Sequence, residues 1–269
     1  MTDALEEPAT VSTSAPPPPP AALSLRGLSK RFGRTVAVDG ISLDVPAGSF
    51  YGVVGPNGAG KTTMLSMATG LLRPDAGTAA VSGADVWTDP TAAKHAMGVL
   101  PDGVGVFDRL TGAQLVTYAG LLRGMDRPTV TARTDELLAA LDLEDARDTL
   151  VVDYSAGMTK KVSLAAALIH APRLLVLDEP FESVDPVSTS RIRQILAGYV
   201  ASGGTVIVSS HVMDLVQRMC DHVAVVAAGR VLAAGTVDEV RAGRSLEDRF
   251  VELVGDPRRA EGLAWLRTS

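Results

Sequence analysis

The chain has 269 residues, a formal net charge of −6 and 46% hydrophobic residues. That is enough apolar material for one large domain or two small ones, and too little positive charge for a broad phosphate-neutralising face. Its one cysteine, Cys220, excludes an internal disulfide and a cysteine-only metal cluster, while the lack of any apolar run near the roughly 18 residues of a membrane span, or of a secretory signal pattern, leads to the expectation of a soluble cytosolic protein that binds no nucleic acid.

Residues 1–22 hold Pro8 and the run Pro16 to Pro20, six of the chain's 16 prolines, among small and acidic residues. Such a segment has little to bury and few donors for a helix or a sheet, so it reads as a disordered, extended arm. From Leu23 the pattern is globular. Alternation in Leu23-Ser24-Leu25 and in Ile41 to Val45 predicts half-exposed strands. Phe50 to Val54 is an apolar strand running into a Gly-rich turn, with a helix from about Lys61. Thr111 can cap a helix carrying Leu115, Val116, Ala119 and Leu122, which Gly124 ends, and a second helix carries Leu137, Leu138 and Leu141. A helix from about Ala156 to Ile169, apolar strands at Leu174 to Leu177 and Val206 to Val208, and a hairpin turning at Gly229 follow. Continuous apolar strands alternating with helices predict a parallel sheet covered on both faces. Leu246, Phe250, Leu253 and Val254 form a short helical stripe that packs on the chain's own core, and Cys220 reads as a small core hydrophobe.

Gly55-Pro56-Asn57-Gly58-Ala59-Gly60-Lys61-Thr62 matches the phosphate-binding loop G-x-x-x-x-G-K-[ST]. In a chain of this composition a chance match is expected about 0.01 times, before demanding the strand ahead and the helix behind, and both are predicted here. Glycines let the backbone wrap phosphates, and N–H groups at a helix N-terminus point inward at them. Lys61 supplies a point charge for the β- and γ-phosphates, Thr62 a hydroxyl for Mg²⁺, and Thr63 a hydroxyl for an inner phosphate. At the end of the apolar strand Leu174 to Leu177 stand Asp178 and Glu179, where an open α/β sheet binds ligands. Asp178 is the candidate Mg²⁺ ligand and Glu179 the group that polarises the attacking water.

With both motifs present, about residues 23–254 resemble the nucleotide-binding subunits of ATP-binding cassette (ABC) transporters, most closely the single-cassette subunits of bacterial exporters. The family signature, usually Leu-Ser-Gly-Gly-Gln, reads here Tyr154-Ser155-Ala156-Gly157-Met158. The resemblance implies that Ser155, Ala156, Gly157 and Met158 contact ATP held by a second cassette in a head-to-tail dimer, either of two copies or of two different chains. It implies that Phe32 stacks on adenine, that Ser183 and Asp185 of Ser183-Val184-Asp185 lie in the loop crossing the dimer interface, and that His211 contacts the γ-phosphate and the attacking water beside the catalytic Glu179. One departure stands out: after the Leu100-Pro101 that follows a strand near Val99 the family usually places Gln, and this chain has Asp102, which makes Asp102 a further candidate metal ligand and puts the metal geometry in question.

The resemblance implies a P-loop NTPase fold, mainly parallel sheet flanked by helices, with an antiparallel β portion and an inserted α-helical subdomain. The expected layout is an arm at 1–22, an ATPase domain at 23–237 with its helical subdomain at about 97–158, and a helical tail at 238–269. The implied activity is hydrolysis of ATP, with Mg²⁺, by a subunit that lies on the cytoplasmic face of the membrane and powers a separately encoded permease. That permease would be met by the helical subdomain and the loop around Asp102. Non-transport ABC ATPases of translation or DNA repair are the rival class. Each motif occurs once, against the paired cassettes usual in translation, and the stretch from Lys61 to Ser155 has no room for the long coiled coil of repair proteins. A low-turnover regulatory ATP switch is the third reading.

Overall fold

The computed structural model describes residues 21–255 apart from 104 and 106; the expected arm, other than its last two residues, and the end of the expected tail lie outside these residues. Two sheets organise the chain. The first is antiparallel, in the order β2-β1-β4-β5, from β1 (Ala21–Phe32), β2 (Thr35–Pro46), β4 (Ala76–Val81) and β5 (Ala84–Asp85). The second has the order β10-β9-β3-β8-β7-β6, from β3 (Phe50–Val54), β6 (Met97–Leu100), β7 (Leu174–Leu177), β8 (Thr205–Ser210), β9 (His222–Ala227) and β10 (Arg230–Thr236). Its first five strands in chain order pair in parallel, and β10 closes one edge antiparallel to β9.

Strand periodicity divides the core in two. Every residue of β3, β7 and β8 is buried, as expected for parallel strands covered on both faces. Alternate side chains go to opposite sides. Tyr51, Val53, Leu174, Val176 and Ile207 pack toward the antiparallel sheet, with α1 (Lys61–Ala68) and α2 (Pro90–Ala96). Phe50, Val54, Leu175, Leu177, Val206 and Val208 pack on the other side. That side is covered by α3 (Gly112–Leu122), α4 (Arg127–Ala140), α5 (Ala156–Leu168), α6 (Pro186–Ala201), α7 (Met213–Met219), α8 (Val237–Arg241) and α9 (Leu246–Val254).

Three expectations shift. Ala21 and Ala22 belong to β1 rather than to the arm, because Ala21 pairs with Pro46 and Ala22 is buried; a ladder partner, not side-chain hydrophobicity, fixes the strand start. Met97 to Leu100 form β6 of the main sheet, so the helical stretch begins only after Leu100. Leu122 is exposed: at the last residue of α3 the apolar stripe outruns what covers it. The final stripe folds back as expected at Leu246, Phe250 and Leu253, while Val254 stays exposed. Cys220 is buried and its thiol is pushed well above its ordinary range by desolvation, so it is an unreactive core group.

Candidate functional site

Because β3, β6, β7 and β8 are parallel, their carboxyl ends meet at one edge of the sheet, and the four segments that carry the candidate chemistry leave from there. From β3 the chain enters the loop Gly55–Gly60 and then α1. Gly60 has φ 100°, in the left-handed region that favours glycine. A Cβ there would also strike the Ala37 carbonyl of β2. On its outer side the loop is held by the hairpin tip, where Gly229 N–H donates to the Ala59 carbonyl at 2.9 Å and the Gly229 carbonyl accepts from Asp39 N–H at 2.9 Å. The loop is therefore fixed from both sheets. No side chain caps α1, and the N–H groups of its first turn have no acceptor within the helix. They form a positive end suited to phosphate.

Lys61 is buried, and its Nζ donates to the carbonyls of Gly55 at 2.7 Å and Pro56 at 3.3 Å. Across the cleft, 3.7 Å away, lies Glu179 Oε1. The other carboxylate oxygen of Glu179 is 3.1 Å from His211 Nδ1. Thus Lys61 after β3, Glu179 after β7 and His211 after β8 converge. Asp178 is buried at the end of β7, and its N–H donates to the Leu100 carbonyl at 2.8 Å. Ser209 of β8 joins the two acidic neighbours: its hydroxyl donates to the Asp178 carboxylate and accepts the Glu179 N–H at 2.9 Å. Glu179 has φ 47°, a left-handed conformation that costs a non-glycine residue roughly 1–3 kcal/mol and persists only where its surroundings fix it.

The cleft has a volume of about 490 Å³ and is lined by Phe32 and Val36 at its mouth, the loop and Thr62 and Thr63 along its floor, and Asp102, Glu179, Glu182 and His211 opposite. That is the size range of a small-ligand site. Phe32 is 51% exposed, free to stack on a planar ligand. Thr62 and Asp178 are the groups nearest to metal chemistry. Among the described residues no cluster of three or more His, Cys, Asp or Glu could cage an ion. One hydroxyl and one carboxylate instead fit Mg²⁺, which keeps its waters and takes further ligands from substrate phosphates. Asp102 lines the cleft, but its Oδ1 accepts from Lys160 Nζ at 3.0 Å.

The other candidates lie outside this cleft. Ser155 is the N-cap of α5, accepting from Met158 N–H at 3.2 Å. Ser155 and Ala156 are exposed, Gly157 and Met158 half-buried, and none of the four lines the cleft. Asp185 caps α6, accepting from Val187 and Ser188 N–H at 3.0 and 2.9 Å, and hydrogen bonds from Ser188 hold its carboxyl below the ordinary value. Ser183 has φ 63° and, with Asp185, is exposed beside the start of α5, its carbonyl facing Gly157. Sequence reading missed Ser209, Lys160 and Glu182. The first two carried a faint signal, a hydroxyl just past the apolar run Val206 to Val208 and a lysine just past the signature, but their partners lie 30 and 58 residues away.

The sequence model of the family described as "ABC transporter" matches residues 38–182. Over 220 residues the chain is 40% identical to the daunorubicin/doxorubicin resistance ATP-binding protein DrrA of Streptomyces peucetius, a match that covers 82% of this chain and 67% of that protein. It is 38% identical over 218 residues to the Nod factor export ATP-binding protein I of Burkholderia lata, covering 80% of this chain and 71% of that protein. A solved structure described as the ATP binding subunit of an ABC transporter superposes with a TM-score of 0.81 at 26% identity, over 87% of this chain and all (100%) of the other.

Proposed function

This chain belongs to the ABC transporter family as an ATP-binding subunit, an ATPase coupled to transport, and from that premise we propose that it drives an exporter whose membrane-spanning part is a separate chain. The observation that carries the chemistry is the meeting of Lys61, Glu179 and His211 in one cleft against the phosphate-binding loop. The α1 N–H groups receive the phosphates of ATP, and Lys61 exchanges its carbonyl contacts for β- and γ-oxygens. Water attacks the γ-phosphorus in line and the bond to the β–γ bridging oxygen breaks, giving ADP and phosphate. Glu179 takes the proton of that water, and His211, hydrogen-bonded to the same carboxylate, orients it. Mg²⁺, when bound, neutralises charge on the phosphate oxygens, and Thr62 and Asp178 are the side chains that would hold it. Phe32 stacks on the base.

The segment Ser155 to Met158, at the start of α5, contacts the γ-phosphate of ATP held by a second cassette, so the full site needs two subunits head to tail. Exposure of Ser155 and Ala156, and the absence of all four residues from the lining of their own cleft, support that arrangement. Export is supported by the relatives, which are a drug-resistance protein and a Nod factor export protein. A membrane partner is met by the helical side, where Phe107 and Tyr118, edge to face at 5.6 Å, stand exposed with Leu122 and Val152. No helix among the described residues is long and apolar enough to cross a membrane. The test is to purify the tagged full-length chain from detergent-solubilised membranes and identify what accompanies it by mass spectrometry. A multi-span protein in near-equal amount is the expected result. Recovery only from the soluble fraction, with ribosomes or nucleic acid, overturns the transport reading and leaves the ATPase chemistry standing.

A further inference from the structure

Two neighbouring lysines in α5 do different things. Lys161 is buried and turns away from the cleft to donate to the Asp142 carbonyl at 3.1 Å. Lys160, about 100° round the helix, turns toward the nucleotide edge of the sheet. Its Nζ donates to Asp102 Oδ1 at 3.0 Å, to the Glu179 carbonyl at 3.1 Å and to the Asp178 carbonyl at 3.5 Å. An ammonium has three donors and no acceptor, so all three are engaged, and each goes to a segment that bears on the reaction. Asp102 follows β6, Asp178 and Glu179 end β7, and Lys160 itself is one turn inside the helix that begins at Ser155.

Glu179 shows why this matters. Its left-handed backbone is held on one side by Ser209, which accepts its N–H, and on the other at its carbonyl, which accepts from Lys160 Nζ at 3.1 Å and from Glu182 N–H at 3.2 Å. Without the ammonium, the carbonyl of this strained peptide keeps only the Glu182 N–H of its own turn and loses its tie to α5, and Asp102 is left as an unpaired carboxylate beside Glu179 and Glu182 in the cleft wall. We propose that Lys160 is a positioning residue for hydrolysis: its ammonium fixes the Glu179 carbonyl and the Asp102 carboxylate, and so ties the aim of the Glu179 side chain to the α5 helix. A shift of α5 on contact with a second cassette then reaches Glu179 through a single side chain. The proposal rests on the reading of Glu179 as the base.

The experiment compares the full-length chain with Lys160→Met, Lys160→Arg, Asp102→Asn and the double change Asp102→Asn with Lys160→Met. Lys160→Met should lower kcat by about tenfold or more, since a misplacement of about 1 Å can cost about 10²-fold and the remaining hydrogen bonds limit the shift, with KM for ATP within about twofold. Lys160→Arg, which can donate to the same acceptors, should recover most of the rate. The double change should be no slower than Lys160→Met alone, because the two act through one contact. Hydrogen–deuterium exchange of the peptide spanning Pro180 to Asp185 gives a readout free of turnover: exchange should quicken in Lys160→Met and not in Lys160→Arg. Where the methionine variant yields no folded chain, Lys160→Gln carries the same comparison. A kcat for Lys160→Met within twofold of the unchanged chain overturns the proposal; if the unchanged chain turns over too slowly to compare, unaltered exchange does so. Glu179→Gln is the control for the underlying reading: full turnover in that variant overturns that reading and the proposal with it, whereas slow turnover in Glu179→Gln beside an unaltered Lys160→Met overturns the proposal alone.

Discussion

His170 follows α5 at the foot of the main sheet. Its Nε2 lies 3.1 Å from the Met97 carbonyl, so Nε2–H donates and Nδ1 is the bare nitrogen, buried without a partner. Burial first, then the nearby cations Arg123, His95 and Arg133, push its pKa down from 6.5 to about 4. Between those values the unfolded chain binds more protons than the folded one, so the contribution of His170 to stability is full above about pH 6.5 and is lost as the pH falls toward 4. Urea unfolding at about pH 7 and pH 5 should show a smaller drop in midpoint for His170→Asn than for the unchanged chain; equal drops would assign the acid sensitivity elsewhere. At this scale the residues of the phosphate loop and the acidic strand end could be read from spacing alone, since a loop motif is local. Ser209 could not, because a serine at the end of a strand takes its meaning from Asp178 and Glu179 across a ladder.

Helix starts are the best-written elements in the chain. Thr111 accepts Gln114 N–H at 3.2 Å while the Gln114 side chain accepts Thr111 N–H at 3.0 Å, a reciprocal cap. The same junction pins the helical region, since Gly112 N–H donates to the Thr149 carbonyl at 3.2 Å. Thr111→Ala should therefore cost about 1 kcal/mol of stability in urea denaturation, the usual worth of such a cap; a loss below about 0.3 kcal/mol would mean that the junction, not the cap, sets the helix start. Strand ends are less legible. A strand near Val99 is expected, but the expected helical insert takes in Met97 to Leu100, and their ladder with β7 puts all four in the main sheet; Ala21 and Ala22 join β1 by the same logic. So short a run is announced where it is apolar throughout, as Leu174 to Leu177 are, whereas its first and last residues are set by pairing.

At the scale of the molecule, the proposed composite site puts one half of the chemistry in the cleft and the other at the start of α5. Glu179→Gln removes the carboxylate that faces Lys61 and His211 while leaving the phosphate loop intact. It should bind ATP, turn over about 10²-fold more slowly, in the range for loss of a general base, and accumulate as a two-cassette species. Gel filtration with light scattering should show a doubled mass with ATP and Mg²⁺ and a single mass with ADP; a single mass in both would remove the composite-site reading.

Sequence by itself determined the covered parallel sheet, the phosphate-binding loop, the acidic strand end and the family signature, because each is written in consecutive residues whose spacing matches a backbone period or a fixed loop shape. Only the tertiary structure decided that Lys61, Glu179 and His211 face one another, that Asp102 is paired with Lys160, and that Ser155 to Met158 look away from their own cleft. Those relations join strand ends far apart in the chain, and they exist only once parallel ladders have brought the carboxyl ends of β3, β6, β7 and β8 to the same edge.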